Sequence, residues 1–319
     1  MRRAILLWLA AFGIAVLAGA GAVVALNATV FGPGGFVSVY LDALARGAVS
    51  DALAMPGVDP GGADRALLQD GTAAGLSGIH QLSDVEHGGM HVITVAWTAP
   101  QGSGATAFEV ERIGTRFGLF PEWGFAVSPT ATVSLAVRSD PRFTLNGVQE
   151  VSPPPSDRAM DYTVLVPGGY TFSHRSRYLT APQTTVLAGT VGQKLTAVVQ
   201  PQANSAFVAA VSAQLHRQLL ACATQTVLFP TGCSFGQSID NRVSGAPKWT
   251  MVHDPSISLE PGPASGTWTV PPTPGTAHLT VSVTSLLDGT VTTFDQDVPF
   301  QLRATVTLGA GDAITVVQG

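Results

Sequence analysis

The chain has 319 residues, of which 16 are basic and 21 acidic, and only 12% are charged. Without Arg2 and Arg3 the body keeps 14 basic against 21 acidic residues, a net charge of −7. The basic residues form no cluster, whereas binding to DNA or RNA requires a positive surface that neutralises phosphates. The composition therefore argues against nucleic acid as a partner. The 35 glycines and 22 prolines indicate many turns, which is typical of β-rich proteins.

The first predicted element is a helix in the uncharged run from Ala4 to Leu26. As a helix this run would measure about 34 Å, enough to cross a hydrocarbon core of about 30 Å. Arg2 and Arg3 precede the run and no basic residue follows it directly, which favours an N-terminus inside the cell. The pattern predicts a cytoplasmic tip at residues 1–3 and a single transmembrane helix at residues 4–26. The lipid bilayer is then the partner of this helix, and the body lies outside the cell membrane.

A cleaved signal peptide is the alternative interpretation of this segment. The small residues Ala18-Gly19-Ala20 and Ala20-Gly21-Ala22 both resemble cleavage sites. The apolar run continues through Val23 and Leu26, beyond the usual length of the apolar region of a signal peptide, and this favours the anchor. Both interpretations place the body outside the membrane.

The body is predicted to begin with a cone-like α+β domain at residues 36–128, after a turn-rich linker at residues 27–35. Apolar residues at helical spacing predict one helix from Phe36 to Met55 and a second from about Ala63 to Gly75. From Ile79 onward the apolar period changes to two, which indicates strands.

The remaining residues are predicted to form two further domains. Residues 129–201 contain short strands and no predicted helix, which indicates a small β-sandwich, and Asn146-Gly147 predicts a tight hairpin turn. Residues 202–319 are predicted to begin with a helix and continue as a curled antiparallel sheet, forming a second α+β domain. The apolar face of that helix consists of Phe207, Val211, Leu215 and Leu219.

These elements define the predicted fold class. It is α+β and mostly β, with one N-terminal transmembrane helix and two helix-plus-curled-sheet units that flank the small β-sandwich. Cys222 and Cys233 are the only cysteines, and in an exported chain a pair eleven positions apart predicts a disulfide. The alternative is two reduced thiols. A zinc site is not expected, because only His216 lies near them in the sequence.

A histidine cluster is the first candidate for chemistry. His80, His87 and His91 are close in sequence, and a hairpin at His87-Gly88-Gly89-Met90-His91 would let two imidazoles meet across strands as a metal site or a general base. Exposed histidines in a polar turn are the simpler and favoured interpretation. We therefore predict no metal and no cofactor.

Few other residues suggest catalysis. The sequence lacks a Ser-x-x-Lys pattern, a P-loop and a His-Glu-x-x-His motif. If a cone-like domain has an open pocket, its candidate polar residues are Tyr40, Asp42, His91 and Glu109. Trp249 and Trp268 would either stack on sugars or lie in the core, and a core position is more usual.

Two parts of the sequence resemble known families. The helix Phe36–Gly47, directly after the predicted anchor, is similar to the first helix of the cone-shaped α+β domains named after nuclear transport factor two. The Asn-Gly turn of Phe143–Gly147, followed by the Pro-Gly-x-Tyr turn of Val166–Thr171, resembles the small β-domain of TcaA-type bacterial envelope proteins. The resemblance implies an N-terminal anchor, β-modules outside the membrane and a cone-like domain at the C-terminus, and it carries no catalytic residue.

The predicted function follows from the placement of the body. We expect a membrane-anchored extracytoplasmic protein that binds or senses a cell-wall component or another envelope protein without catalysis. The alternative is a cone-fold enzyme or a small-ligand carrier outside the membrane.

Overall fold

The computed structural model describes residues 2–28, 31–73, 75–153 and 158–319. These residues form four α-helices and eighteen strands, so the predicted class of an α+β, mostly β chain is confirmed. The buried apolar side chains of the body form three hydrophobic cores. We name the elements around each core the first, second and third module in chain order. The predicted boundaries at residues 128 and 201 stay predictions.

The chain begins with helix α1 (Arg2–Ala28), which contains the whole uncharged run Ala4–Leu26. Several of its apolar side chains are exposed, with Trp8 at 77%, Phe12 at 70% and Leu17 at 74%. Within the described side chains, no helix combines the length and the apolarity of a membrane span.

The predicted helix Phe36–Met55 is two helices, α2 (Pro33–Ala45) and α3 (Val49–Leu53). Proline is tolerated in the first turn of a helix, because its missing N–H would have no partner within the helix. Gly47 has a φ of 72°, and this left-handed conformation ends α2. The predicted linker at residues 27–35 is also shorter than expected, because α1 extends to Ala28 and α2 begins at Pro33. Its residues 29–30 lie outside the described part of the chain.

The first module packs α2 on an antiparallel sheet. Its strands are β1 (Ser77–His87), β2 (Met90–Ala99), β3 (Gly102–Arg116) and β4 (Phe120–Phe125), paired in that order. The alternate residues Ile93, Val95 and Trp97 of β2 are buried, which confirms the predicted strand. The largest side chains of the core are Tyr40, Trp97, Phe108 and Phe125.

Residues 57–73, which we call the crossing segment, connect α3 to β1. The prediction of a helix from Ala63 to Gly75 is wrong, because residues 63–73 form turns. The backbone N–H of Asp64 donates to the carbonyl of Asp161 at 2.9 Å, so its backbone pairs with the second module instead of coiling on itself. Leu67 is 1% exposed and lies in the second core.

The second module contains two sheets that share one core. Its strands are β5 (Thr130–Val137), β6 (Phe143–Leu145), β7 (Gln149–Val151), β8 (Met160–Leu165), β9 (Gly168–Arg175), β10 (Leu179–Ala188), β11 (Lys194–Val199) and β12 (Gln202–Ala203). One sheet has the order β12-β10-β9-β6-β7 and the other the order β11-β5-β8, with β11 and β5 parallel. The predicted turn between β6 and β7 is confirmed, since Asn146 and Gly147 have φ angles of 49° and 72°.

The third module begins with α4 (Ser205–Ala223), whose predicted face is confirmed: Phe207, Val211, Leu215 and Leu219 are at most 2% exposed. Its strands are β13 (Arg242–Val243), β14 (Lys248–His253), β15 (Glu260–Pro261), β16 (Thr267–Thr284), β17 (Val291–Leu308) and β18 (Ile314–Gln318). The main sheet has the order β13-β16-β17-β18, and β14 and β15 also pair with β16. The register of β16 and β17 shifts between Val270 and Thr273, and a bulge of this kind bends the sheet.

The predicted disulfide is present. Cys222 in the last turn of α4 is bonded to Cys233, with 5.9 Å between their Cα atoms. Trp249 and Trp268 are 3% and 0% exposed and belong to the third core. Their predicted core position is confirmed, and neither ring is available to stack on a sugar.

Candidate functional site

The four predicted pocket residues do not converge. Tyr40 is fully buried in the first core, where its hydroxyl donates to the carbonyl of Val166 at 2.9 Å. Asp42 is exposed, because residues two apart on a helix lie on opposite sides. Glu109 is exposed and pairs with the residue after His91, so these two side chains lie on opposite faces of the sheet. The predicted pocket is therefore not formed by these residues.

The histidine cluster does not bring two imidazoles together, which goes against the metal or general-base alternative. His91 Nδ1 lies 2.7 Å from Asp84 Oδ1, and its ring meets Trp123 edge-on with 5.1 Å between centroids. His87 lies opposite Met90 at the turn, so its side chain points to the other face of the sheet and the two imidazoles do not meet. Among the described residues, no group of three or more His, Cys, Asp or Glu side chains could hold a metal ion.

An apolar groove of about 500 Å³ lies beside Trp123, between the start of α2 and the β3–β4 hairpin. It is lined by Phe31, Gly32, Gly35, Phe36, Val39, Met55, Pro56, Ile113, Arg116, Pro121, Glu122 and Trp123. Val39 is 59% and Ile113 is 54% exposed, so the groove presents apolar surface at the outside of the protein. Its two charged residues neutralise each other, since Arg116 Nε lies 3.3 Å from Glu122 Oε1.

The groove adjoins the end of α1, and two hydrogen bonds fix this junction. The side-chain amide of Asn27 donates to the carbonyl of Leu119 at 3.0 Å. The indole N–H of Trp123 donates to the carbonyl of Phe31 at 2.8 Å, and the Phe31 ring packs on Phe120 with 4.4 Å between centroids. The last turn of α1 and the β3–β4 hairpin are therefore held together.

The hairpin tip, residues 117–119, is apolar and exposed. Phe117 is 86% and Leu119 is 58% exposed. Phe117 has a φ of 55°, a left-handed conformation that a bulky side chain rarely adopts and that costs conformational energy. The sequence carries a signal for this feature, since Phe-Gly-Leu occupies a turn where polar residues are usual.

A buried polar cluster lies where the second module meets the third. Arg142 Nη2 donates to Asp140 Oδ2 at 2.6 Å, and although burial raises the pKa of the Asp140 carboxyl, hydrogen bonds from Arg142 outweigh it and hold that pKa below its usual range. His174 Nδ1 lies 2.8 Å from the carbonyl of Arg142, and its Nε2 lies 3.1 Å from Ser176 Oγ. Asp140 lies nearest to the same Nε2 atom, whereas a catalytic triad places its Ser and Asp on different ring nitrogens.

A second polar cluster lies on the exposed face of the β16–β17 ladder. His278 Nδ1 lies 2.7 Å from Asp297 Oδ1, and its Nε2 lies 2.8 Å from Asp295 Oδ1. The Asp297 carboxylate, followed by Asp295, raises the pKa of His278 above its usual value. The hydroxyl of Thr280 donates to Asp295 as well. No local pattern in the sequence links His278 to these two carboxylates, because they lie on the neighbouring strand.

No protein-family model, curated protein or solved structure matches the chain. Function is therefore inferred from the chemistry of these sites. The two polar clusters are satisfied by their own members, whereas the apolar groove and the hairpin tip present apolar surface to the outside. Contiguous exposed apolar surface marks a site of interaction with a partner or a membrane.

Proposed function

We propose that the chain is a membrane-anchored extracytoplasmic protein that binds or senses a component of the cell envelope without catalysis. Residues 4–26 are the anchor, with the N-terminus inside and the three modules outside. The partner is a cell-wall component or another envelope protein. The layout is similar in plan to that of TcaA-type envelope proteins, which have an N-terminal anchor, β-modules outside the membrane and a cone-like domain at the C-terminus.

The junction between α1 and the first module is the observation that carries this proposal. The uncharged run ends at Leu26, and the next residue, Asn27, donates to the hairpin tip at Leu119. Apolar side chains are exposed on both sides of the junction, for example Leu17 in α1 and Phe117 in the tip. Lipid is the environment in which such surface is stable.

The disulfide supports the same placement. Bonds of this type persist in oxidising compartments and are rare in the cytosol. Cys222 and Cys233 are both bonded, and no free cysteine occurs among the described residues.

The placement is tested on the full chain with an epitope tag after Gly319. After alkaline extraction the protein should stay with the membrane, and a reagent that cannot cross membranes should reach the tag in intact cells. A Gly13→Arg/Leu17→Arg variant, in which charges interrupt the run, should leave the membrane fraction. Release of the wild-type chain, or a tag that is protected in intact cells, would contradict the proposal. A mature chain that begins after Ala20 or Ala22 would identify a cleaved signal peptide instead.

The binding role is tested separately, by capturing purified wall fragments and membrane extract with the full chain in detergent. We expect enrichment of one of these two fractions over the same resin without protein. Enrichment of neither would contradict a binding role at the envelope.

The apolar groove favours a second candidate function, a carrier of an apolar small ligand. Its volume of about 500 Å³ lies within the range of about 300 to 1,000 Å³ that is usual for ligand sites. Apart from the Arg116–Glu122 pair its lining is uncharged, which favours binding over catalysis.

The carrier role predicts that solvent extraction of the purified chain releases an apolar compound detectable by mass spectrometry. Val39→Trp fills the groove and should abolish this recovery. Val252→Trp is the matched control, because Val252 is 56% exposed and lies in the third module. Equal recovery from both variants would exclude the groove as the site.

A further inference from the structure

We propose that the hairpin tip, residues 117–119, inserts into the lipid interface of the membrane that holds α1. This inference rests on the proposed anchoring of residues 4–26 and adds a second membrane contact, made by the body itself. The partner is a phospholipid bilayer surface. Its acyl region receives the two apolar side chains, and its headgroups surround the base of the hairpin.

The first argument is position. The uncharged run ends one residue before Asn27, whose side chain is hydrogen-bonded to Leu119 at 3.0 Å. At this distance no layer of water separates the end of the run from the tip. The bond from Trp123 to Phe31 holds the strand that follows the tip against the same junction. If the run ends at the lipid boundary, the tip lies at that boundary as well.

The second argument is chemistry. The tip carries no charge. Phe117 is 86% and Leu119 is 58% exposed, and among the other large apolar side chains described in the first module only Val39, at the groove, is more exposed than Leu119. The left-handed backbone of Phe117 directs a large ring outward at a cost in conformational energy. Arg116 directly precedes the tip with 65% of its side chain exposed, and it is paired with Glu122 at 3.3 Å. At the base of the hairpin this pair lies at the level of the headgroups, where the arginine stem covers apolar surface and both charges stay in water.

Another exposed hairpin tip provides an internal comparison. Leu287, between β16 and β17, is 96% exposed, but it is followed directly by Asp288 and belongs to the third module. A carboxylate at a tip opposes entry into lipid. Leu287 is therefore the matched control for Leu119.

The test reconstitutes the full chain in vesicles of phosphatidylethanolamine and phosphatidylglycerol. Because both native cysteines are bonded, Leu119→Cys and Leu287→Cys each supply one thiol for an environment-sensitive fluorophore. We expect a blue-shifted emission at position 119 that is quenched by lipids carrying a spin label near the headgroup. We expect water-like emission without such quenching at position 287.

Two further variants test whether the apolar character of the tip is responsible. In the Leu119→Cys background, Phe117→Asp should remove the blue shift and the quenching, whereas Phe117→Leu should keep both. Flotation of the same vesicles separates this inference from the anchor. Protein that fails to float contradicts the anchor, and the inference is lost with it. Protein that floats with water-like emission at position 119, or with equal quenching at 119 and 287, overturns tip insertion alone.

Discussion

Removal of the Cys222–Cys233 disulfide is expected to destabilise the third module by about 3 kcal/mol. The two cysteines are 11 positions apart, and closing a loop of this length lowers the entropy of the unfolded chain by about 9 cal/mol/K, or about 3 kcal/mol near 25 °C. The folded loop has other contacts. The side chain of Gln225 accepts the N–H of Thr231 at 2.8 Å, and Trp249 donates to a loop carbonyl at 2.9 Å. The loss should therefore act mainly through the unfolded state.

The assay is urea unfolding of the full chain in detergent micelles, followed by tryptophan fluorescence. A Cys222→Ala/Cys233→Ala variant should lower the midpoint of one transition by about 1 to 2 M, from a urea dependence of about 1.5 to 3 kcal/mol/M. Only the transition that reports Trp249 and Trp268 should move, because a chain with several modules need not unfold in one step.

Two controls separate the cross-link from the loss of side-chain packing. Reduction of the wild-type chain should reproduce the shift, and the same reductant should leave the double variant unchanged. Identical midpoints for the wild type and the double variant would refute the reasoning, because the cross-link would then not lower the entropy of the unfolded chain.

Three further outcomes are expected. Burial raises the pKa of the Tyr40 hydroxyl well above 10.0, so this tyrosine ionises in the unfolded chain before it ionises in the folded one. Above pH 10 it should therefore lower the free energy of unfolding by about 1.4 kcal/mol per pH unit. Tyr40→Phe should reduce this slope, measured by urea titrations on either side of pH 10. Gly57→Ala should cost about 2 to 4 kcal/mol in thermal unfolding, because its φ is 81° and an added Cβ would meet a carbonyl oxygen of β4. Gly61→Ala is the control and should cost only about 1 kcal/mol, because open space surrounds it. Equal losses for the two variants would contradict the clash. Asp297→Asn should lower the pKa of His278 in an NMR titration, and an unchanged midpoint would show that Asp297 is not the main cause.

Local patterns in the sequence predicted the local structure well. The spacing of four between Phe207 and Leu219 reflects one face of a helix, and that face is buried on the third sheet. Asn146-Gly147 adopts the positive φ angles that its hairpin requires. The disulfide also follows from local information, because few alternatives exist for two cysteines in an exported chain.

Features that depend on contacts between distant segments could not be predicted in this way. Residues 63–73 have the composition of a short helix, but they form turns and their Asp64 pairs with Asp161 of the second module. The junction beside the apolar groove joins Asn27 to Leu119, 92 positions apart, and no periodicity reports such a contact. The four residues of the predicted pocket do not converge for a related reason. Polar residue types alone do not show which face of a helix or sheet their side chains occupy.

The crossing segment has a practical consequence for dividing the chain. A cut at residue 129 would separate Leu67 from the second core, in which it is 1% exposed. Leaving that site empty would cost about 2 to 5 kcal/mol, the usual loss for truncating a buried leucine. A fragment that starts at residue 129 should therefore have a low free energy of unfolding. A fragment of residues 31–203 contains all the residues that form the first and second cores. We expect residues 31–203 to behave as one unit, both in limited proteolysis and when domains are exchanged with other proteins.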